Sequence, residues 1–178
     1  MKIILIGIQG SGKSTQGNML SKKLGVPYLA TGDIFRDMAK EDSDSGRFVK
    51  ETLTQGHLIP DEKTIAIMEE YLAKPEYKNG YILDGFPRTL VQAQAFKEPI
   101  DKVLYIKVSD EEALKRLGLR IAKEKREDDS QEAIKRRIAL FHEMTEPLLD
   151  FYRDQGILIE VDGERSIEDI HEDVSKKI

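Results

Sequence analysis

Gly7-Ile8-Gln9-Gly10-Ser11-Gly12-Lys13-Ser14 follows directly on the apolar run Lys2-Ile3-Ile4-Leu5-Ile6 and opens a segment, Lys13 to Leu24, with the composition of a helix. The spacing is G-x-x-x-x-G-K-[ST], and the flanks are those the pattern requires, a strand before and a helix after. Its glycines let backbone N–H groups turn inward around phosphate oxygens, while the helix contributes the positive end of its dipole. Lys13 adds a full charge against the outer phosphates of a nucleotide. Chance composition gives this pattern in roughly one chain in a hundred of this length, and the required flanks lower that further. The loop alone does not choose among kinases, GTPases and ATPases.

Outward from the loop, short apolar runs alternate with longer segments of helical period, a rhythm that predicts an α/β fold with a parallel sheet. Lys2 to Ile6 is apolar on both faces, as a central parallel strand should be. Gly25 and Pro27 end the first helix, and Pro27 to Ala30 reads as a second short strand. Helices are expected over Ile34 to Lys40, Gly46 to Gln55 and from Pro60-Asp61 onward, the last with a core stripe of Ile65, Met68 and Leu72. Tyr81 to Asp84 is a third strand and Val103 to Val108 a fourth. Ser109 and Glu112 form a capping box before a helix carrying Leu114, Leu117 and Ile121 on one side. A long helix bearing Ile134, Ile138, Phe141, Leu148 and Tyr152 is expected to bend at Pro147. Ile157 to Val161 is the fifth strand, and Ser166 caps the closing helix. The result is a doubly wound five-stranded parallel sheet of P-loop NTPase type, with ligands at the carboxyl ends of its strands.

The 178 residues suit a single domain with one core. Apolar residues are 39% and charged residues 34%, which describes a folded chain with a charge-rich surface. A net charge of -5 argues against a general nucleic-acid binder, so any bound polyanion must meet a local basic cluster. The absence of cysteine removes disulfides, thiolate metal sites and cysteine nucleophiles, and fits the cytoplasm. The apolar run at the N-terminus is too short for a signal peptide or a membrane span, so no membrane association is expected.

Beyond the loop, three further stretches carry a resemblance. Tyr28-Leu29-Ala30-Thr31-Gly32-Asp33-Ile34-Phe35-Arg36 is similar to the T-G-D-x-x-R element of the adenylate kinase family. Gly56-His57-Leu58-Ile59-Pro60-Asp61-Glu62 resembles that family's adenine-lining segment. Asp84-Gly85-Phe86-Pro87-Arg88-Thr89, followed by Gln92, resembles its D-G-F-P-R-T-x-x-Q element, the most specific of the three. The likeness runs over nearly the whole chain. It implies phosphoryl transfer from ATP to AMP to give ADP, with Mg²⁺, in a monomer.

By resemblance, Gly10, Ser11, Gly12, Lys13, Ser14 and Thr15 would hold ATP phosphates, and Arg165 would lie against its adenine. Arg116 would stack on that adenine and Arg120 would bind phosphate. Thr31, Arg36, His57, Leu58 and Ile59 would contact AMP, as would Gly85, Phe86, Pro87, Arg88 and Gln92. Arg126 and Arg137 would grip both AMP and the migrating group. Lys13, Asp84, Arg88, Arg120, Arg126 and Arg137 are then the catalytic set. The residue types fit: arginine forks hold phosphate bidentately, the Gln92 amide has a donor and an acceptor for an adenine edge, and the Asp84 carboxylate suits magnesium through waters. Either Ser14 or Thr15 would supply the hydroxyl nearest that ion. Arg136, beside Arg137, is an alternative in register. Read without the resemblance, Glu112, Arg116 and Arg120 make ordinary i,i+4 ion pairs.

The chain departs from the family pattern at Gln9, where proline is usual, and at Ser14, where glycine is usual. Relatives with a long lid build a zinc site from cysteines; this chain has neither, so zinc is not expected. His57, His142 and His171 have no metal-ligand spacing. Two sub-regions are expected to move, 31–59 over the monophosphate and a short lid, 116–129, over ATP. The alternatives are a UMP/CMP-type kinase, against which Thr31 and Gln92 speak, and a P-loop ATPase or regulatory relative. A GTPase would need N-K-x-D, which is absent.

Overall fold

The structure, a computed structural model, describes residues 1–123 and 130–178. Strand β1 (Lys2–Ile6) leads through the glycine loop into helix α1 (Lys13–Leu24), and β2 (Tyr28–Ala30) runs without a loop into α2 (Thr31–Met38). Then follow α3 (Asp44–Thr54), α4 (Asp61–Leu72), β3 (Tyr81–Asp84), α5 (Leu90–Ala95), β4 (Lys102–Lys107) and α6 (Asp110–Lys123). After the undescribed stretch come α7 (Gln131–Leu140), a π-helical turn over Phe141–Thr145, α8 (Pro147–Asp154), β5 (Leu158–Asp162) and α9 (Ile167–Lys177).

The five strands form one sheet in the order β2-β3-β1-β4-β5, every pair parallel. The period of two along each strand sorts side chains to two faces. Ile4, Ile6, Leu83, Val103 and Tyr105 join the larger core with Met68, Leu148 and Tyr152. Ile3, Leu5, Ile82 and Leu104 face Leu20 of α1 and Ile170 and Val174 of α9. A separate small cluster of Phe35, Val49 and Ile59 holds the insertion between β2 and α4 together. Because β1 lies between β3 and β4, the chain turns to opposite sides of the sheet from it, and a crevice opens at its carboxyl end.

Several local expectations shift. Helix α2 starts at Thr31 rather than Ile34, since Ala30 leaves the strand with extended backbone and Thr31 turns at once. Helix α3 starts earlier, at Asp44, because the Ser43 side chain caps it by accepting from the Gly46 N–H at 3.0 Å. The bend expected at Pro147 is a π-helical turn just before it, in which the Glu146 N–H reaches the Phe141 carbonyl at 2.8 Å. Widening the helix by one residue relieves the clash a proline ring makes with the preceding turn. On α6, Leu117 is 1% exposed but Leu114 and Ile121 are 42% and 37% exposed. Its buried arc is centred on Ala113 and Leu117, rotated from the expected stripe, because Gly10 packs there: a Cβ on Gly10 would lie 2.8 Å from the Ala113 carbonyl oxygen. The capping box is also half replaced. Ser109 Oγ accepts from the Glu112 N–H at 3.3 Å, but the Ser109 N–H goes to Glu164 Oε1, from the turn after β5, at 2.8 Å.

Candidate active site

The sheet order places the functional segments around β1. The glycine loop follows β1 itself; Arg116 and Arg120 follow β4 and Arg165 follows β5 on one side. The segments after β2 and β3 lie on the other. They enclose one continuous cavity of about 840 Å³, at the upper part of the range for small-molecule sites.

Gly10, Ser11, Gly12, Lys13, Ser14 and Thr15 all border this cavity. Lys13 Nζ folds back over the loop, donating to the Gly7 carbonyl at 2.6 Å and the Ile8 carbonyl at 3.0 Å. Burial pulls its pKa below the usual lysine value; Asp84 opposes this, while Arg88 and Arg120 reinforce it. An anion entering the loop therefore replaces two carbonyl partners and relieves repulsion among three cations.

Arg88 is held from every side. Its N–H donates to Gln92 Oε1 at 2.8 Å, its carbonyl accepts from Thr145 Oγ1 at 2.8 Å, and its Nε donates to the Gly85 carbonyl at 2.8 Å. Burial lowers the guanidinium pKa, Asp84 raises it, and Arg137 and Arg36 lower it. Gly85 has φ +83°, and a Cβ there would stand 2.4 Å from Thr31 Oγ1 and 2.9 Å from Arg88 Nη2. Only glycine fits that turn.

Asp84 ends β3 with its carboxylate toward the cavity, where Tyr28 Oη donates to Oδ2 at 2.7 Å. Burial, with Asp84 adding to it, raises the Tyr28 pKa, so its phenol remains a donor. The Ser14 and Thr15 hydroxyls and this carboxylate are hard oxygen donors of the kind magnesium takes. Among the described residues no three His, Cys, Asp or Glu side chains gather as a metal cluster.

The remaining expected residues divide. Arg36, His57, Leu58, Ile59, Pro87 and Gln92 reach the cavity, as do Arg116, Arg120, Arg137 and Arg165. Arg137, not its neighbour Arg136, faces inward; its Nη2 donates to the Leu53 carbonyl at 3.0 Å, and Arg136 Nη1 sits 2.6 Å from His57 Nε2. Arg116 is paired with Glu112 at 2.7 Å, so the helix-surface ion pair and the cavity position coexist. Two residues do not face the cavity. Thr31 is 0% exposed and donates to the Asp84 carbonyl at 3.1 Å. Phe86 is 1% exposed and packs edge-on against Phe96 in the core. Arg126 lies outside the described residues. Sequence reasoning missed Thr145 and Phe141, which border the cavity from the π-helical turn, and Tyr28 as the partner of Asp84; nothing in their local pattern marks them.

A phosphate-cradling loop, a carboxylate at the tip of the neighbouring strand and converging arginines, set on this sheet order, define a P-loop nucleotide kinase. Residues 5–157 match the sequence model of the family described as adenylate kinase. The chain is 37% identical to an adenylate kinase of Caldicellulosiruptor bescii over an alignment of 212 positions, gaps included, covering 100% of this chain and 99% of that protein. It is 42% identical to one from a Cyanothece species over 176 residues, covering 95% and 90%. It is 36% identical to one from Archaeoglobus fulgidus over an alignment of 208 positions, covering 98% and 96%. This chain belongs to the adenylate kinase family and is a nucleoside-monophosphate kinase.

Proposed function

We propose that the chain catalyses the reversible transfer of the γ-phosphoryl group from ATP to AMP, giving two ADP, with the residues gathered in the cavity. The observation that carries this is one cavity that meets the glycine loop, Arg116, Arg120 and Arg165 on one side of β1 and Arg36, Arg88 and the His57–Ile59 wall on the other. Two nucleotides then lie end to end across the strand tips.

The acceptor is already a phosphate oxygen, so the reaction needs positioning and charge neutralisation rather than a strong base. Lys13 leaves its two carbonyls for the outer phosphates of ATP. Arg88, immobilised at its own main chain, meets the AMP phosphate and the migrating group, and Arg120 and Arg137 close the ring of charge. Arg126, from the undescribed stretch, completes that set by resemblance. Asp84 and Ser14 or Thr15 would hold magnesium, directly or through water, and the ion would supply positive charge against the ATP phosphates. Thr31 acts from behind, holding the Asp84 carbonyl and the Gly85 turn in place. Sub-region 31–59 and the short lid 116–129, of which 124–129 lie outside the described residues, would close over the nucleotides and exclude water that would otherwise take the phosphoryl group. Among the described residues no helix is long and apolar enough to cross a membrane; a monomer working in the cytoplasm belongs to this reading by resemblance.

Formation of ADP from ATP with AMP, CMP, UMP and GMP in parallel tests the assignment. AMP should be the preferred acceptor, and Lys13→Ala should lose at least about a hundredfold in rate with its circular dichroism unchanged. Robust turnover of CMP with little of AMP would overturn the choice of acceptor.

A further inference from the structure

Asp61 is the first residue of α4, where an acidic side chain has an ordinary reason to be, the positive end of the helix dipole. Its carboxylate here does something more specific. Oδ1 accepts two hydrogen bonds, from Thr89 Oγ1 at 2.9 Å and from Gln92 Nε2 at 2.8 Å. The opposite end of the same Gln92 amide, Oε1, accepts the Arg88 N–H at 2.8 Å. Gln92 is 2% exposed and borders the cavity, as do Ile59 and Thr64.

We propose that Asp61 sets the base specificity of the monophosphate site by fixing which end of the Gln92 amide is donor and which is acceptor. The proposal rests on the reading that Gln92 meets the base of AMP. A primary amide has two N–H donors and an oxygen with two lone pairs. Asp61 takes one donor and the Arg88 N–H takes one lone pair, so one donor and one acceptor are left for a ligand in a fixed order. A 6-aminopurine presents a ring-nitrogen acceptor beside an exocyclic donor, which matches that pair. A 6-oxopurine presents the reverse, a ring N–H beside a carbonyl.

Accepting a 6-oxopurine requires the amide to rotate by half a turn. Rotation sets Oε1 against the Asp61 carboxylate and the amide N–H₂ against the Arg88 N–H, replacing two hydrogen bonds with two repulsions. Selectivity therefore comes from what the wrong base is made to break. The Arg88 N–H belongs to the backbone and is the same for any side chain. Asp61 is the part of the lock that substitution can remove.

Asp61→Asn is nearly isosteric, and its own amide can turn an N–H₂ toward a rotated Gln92. The experiment measures kcat/KM for AMP and for IMP with ATP·Mg²⁺ in the wild type, Asp61→Asn and Gln92→Ala, with melting temperatures in the presence of each monophosphate as a readout free of turnover. Asp61→Asn should lower the AMP-to-IMP ratio of kcat/KM by about tenfold or more. The change should appear mainly in KM, and IMP should protect the variant against heat better than it protects the wild type. A parallel loss for both acceptors, leaving the ratio unmoved, would reduce Asp61 to a tie between α4 and α5 and overturn the proposal. Asp61→Ser, whose hydroxyl can accept or donate, gives the same ratio test if the Asn variant is unstable. Gln92→Ala separates the two levels. A ratio left intact by Gln92→Ala refutes the reading that Gln92 meets the base. A ratio collapsed by Gln92→Ala and untouched by Asp61→Asn refutes the role of Asp61 alone.

Discussion

Gly85→Ala isolates the cost of disturbing the catalytic turn from the cost of disturbing the backbone, provided it is compared with Gly25→Ala. Both glycines have left-handed backbone, at φ +83° and +65°, and an alanine in that region costs about 1–2 kcal/mol. For a chain of this size that backbone strain alone predicts a melting temperature lower by roughly 2–8 °C, the full effect at Gly25 and a lower bound at Gly85. The surroundings differ completely. Around Gly25 no atom lies within 4 Å of an added Cβ, whereas at Gly85 it would meet Thr31 Oγ1 at 2.4 Å and Arg88 Nη2 at 2.9 Å. Neither neighbour can swing away without loss, because Thr31 donates to the Asp84 carbonyl and Arg88 Nε to the Gly85 carbonyl. The guanidinium must therefore shift by several tenths of an ångström to about 1 Å, a misplacement that costs on the order of a hundredfold in rate. Coupled measurement of ADP formation, with thermal denaturation of both variants, checks this. Gly25→Ala should keep nearly full kcat despite its lower melting temperature, while Gly85→Ala should lose about a hundredfold. If the two variants lose activity to the same small extent, the geometry of this turn does not govern Arg88 and the reasoning fails.

Arg88→Lys keeps the charge but gives up the planar fork and the Nε bond to Gly85; we expect kcat to fall about 10²-fold or more, checked by steady-state kinetics in which turnover within threefold of the wild type would contradict a bidentate role. Ile82→Ala empties a fully buried position in β3 and should cost about 2–5 kcal/mol in urea denaturation, with the specific activity of the folded fraction preserved. The carboxylates of Glu146 and Asp110, each 2.9 Å from a ring nitrogen of His142, raise the His142 pKa. A raised folded-state pKa means stability that is fully present below the unfolded value of about 6.5 and lost as pH rises through the folded value. His142→Gln should therefore lower the melting temperature at pH 6 and have almost no effect at pH 9. Because His142 is 45% exposed at its side chain, the difference should stay under about 1 kcal/mol.

Phosphate binding was legible at once, since a strand, a glycine loop and a helix are contiguous and their meaning is local. The same holds for the five strands, whose apolar period needs no distant partner, and for Ser166, whose side chain caps α9 by accepting from the Asp169 N–H. The resemblance supplied the identities of the arginines, and the cavity gathers those among the described residues.

What the sequence by itself determined were the contacts set by neighbours along the chain: the strands, most helix ends, the phosphate loop and the turn at Gly85. What only the tertiary structure decided were the contacts between segments far apart. The rotation of α6 is set by Gly10 pressing on Ala113, and the second half of its cap comes from Glu164. Arg137 is distinguished from Arg136 by its bond to Leu53, Asp84 is oriented by Tyr28, and both ends of the Gln92 amide are taken by residues of other segments. Hydrogen-bond partners of buried polar groups are fixed by burial, and burial is a property of the packed sheet and helices rather than of any stretch of chain.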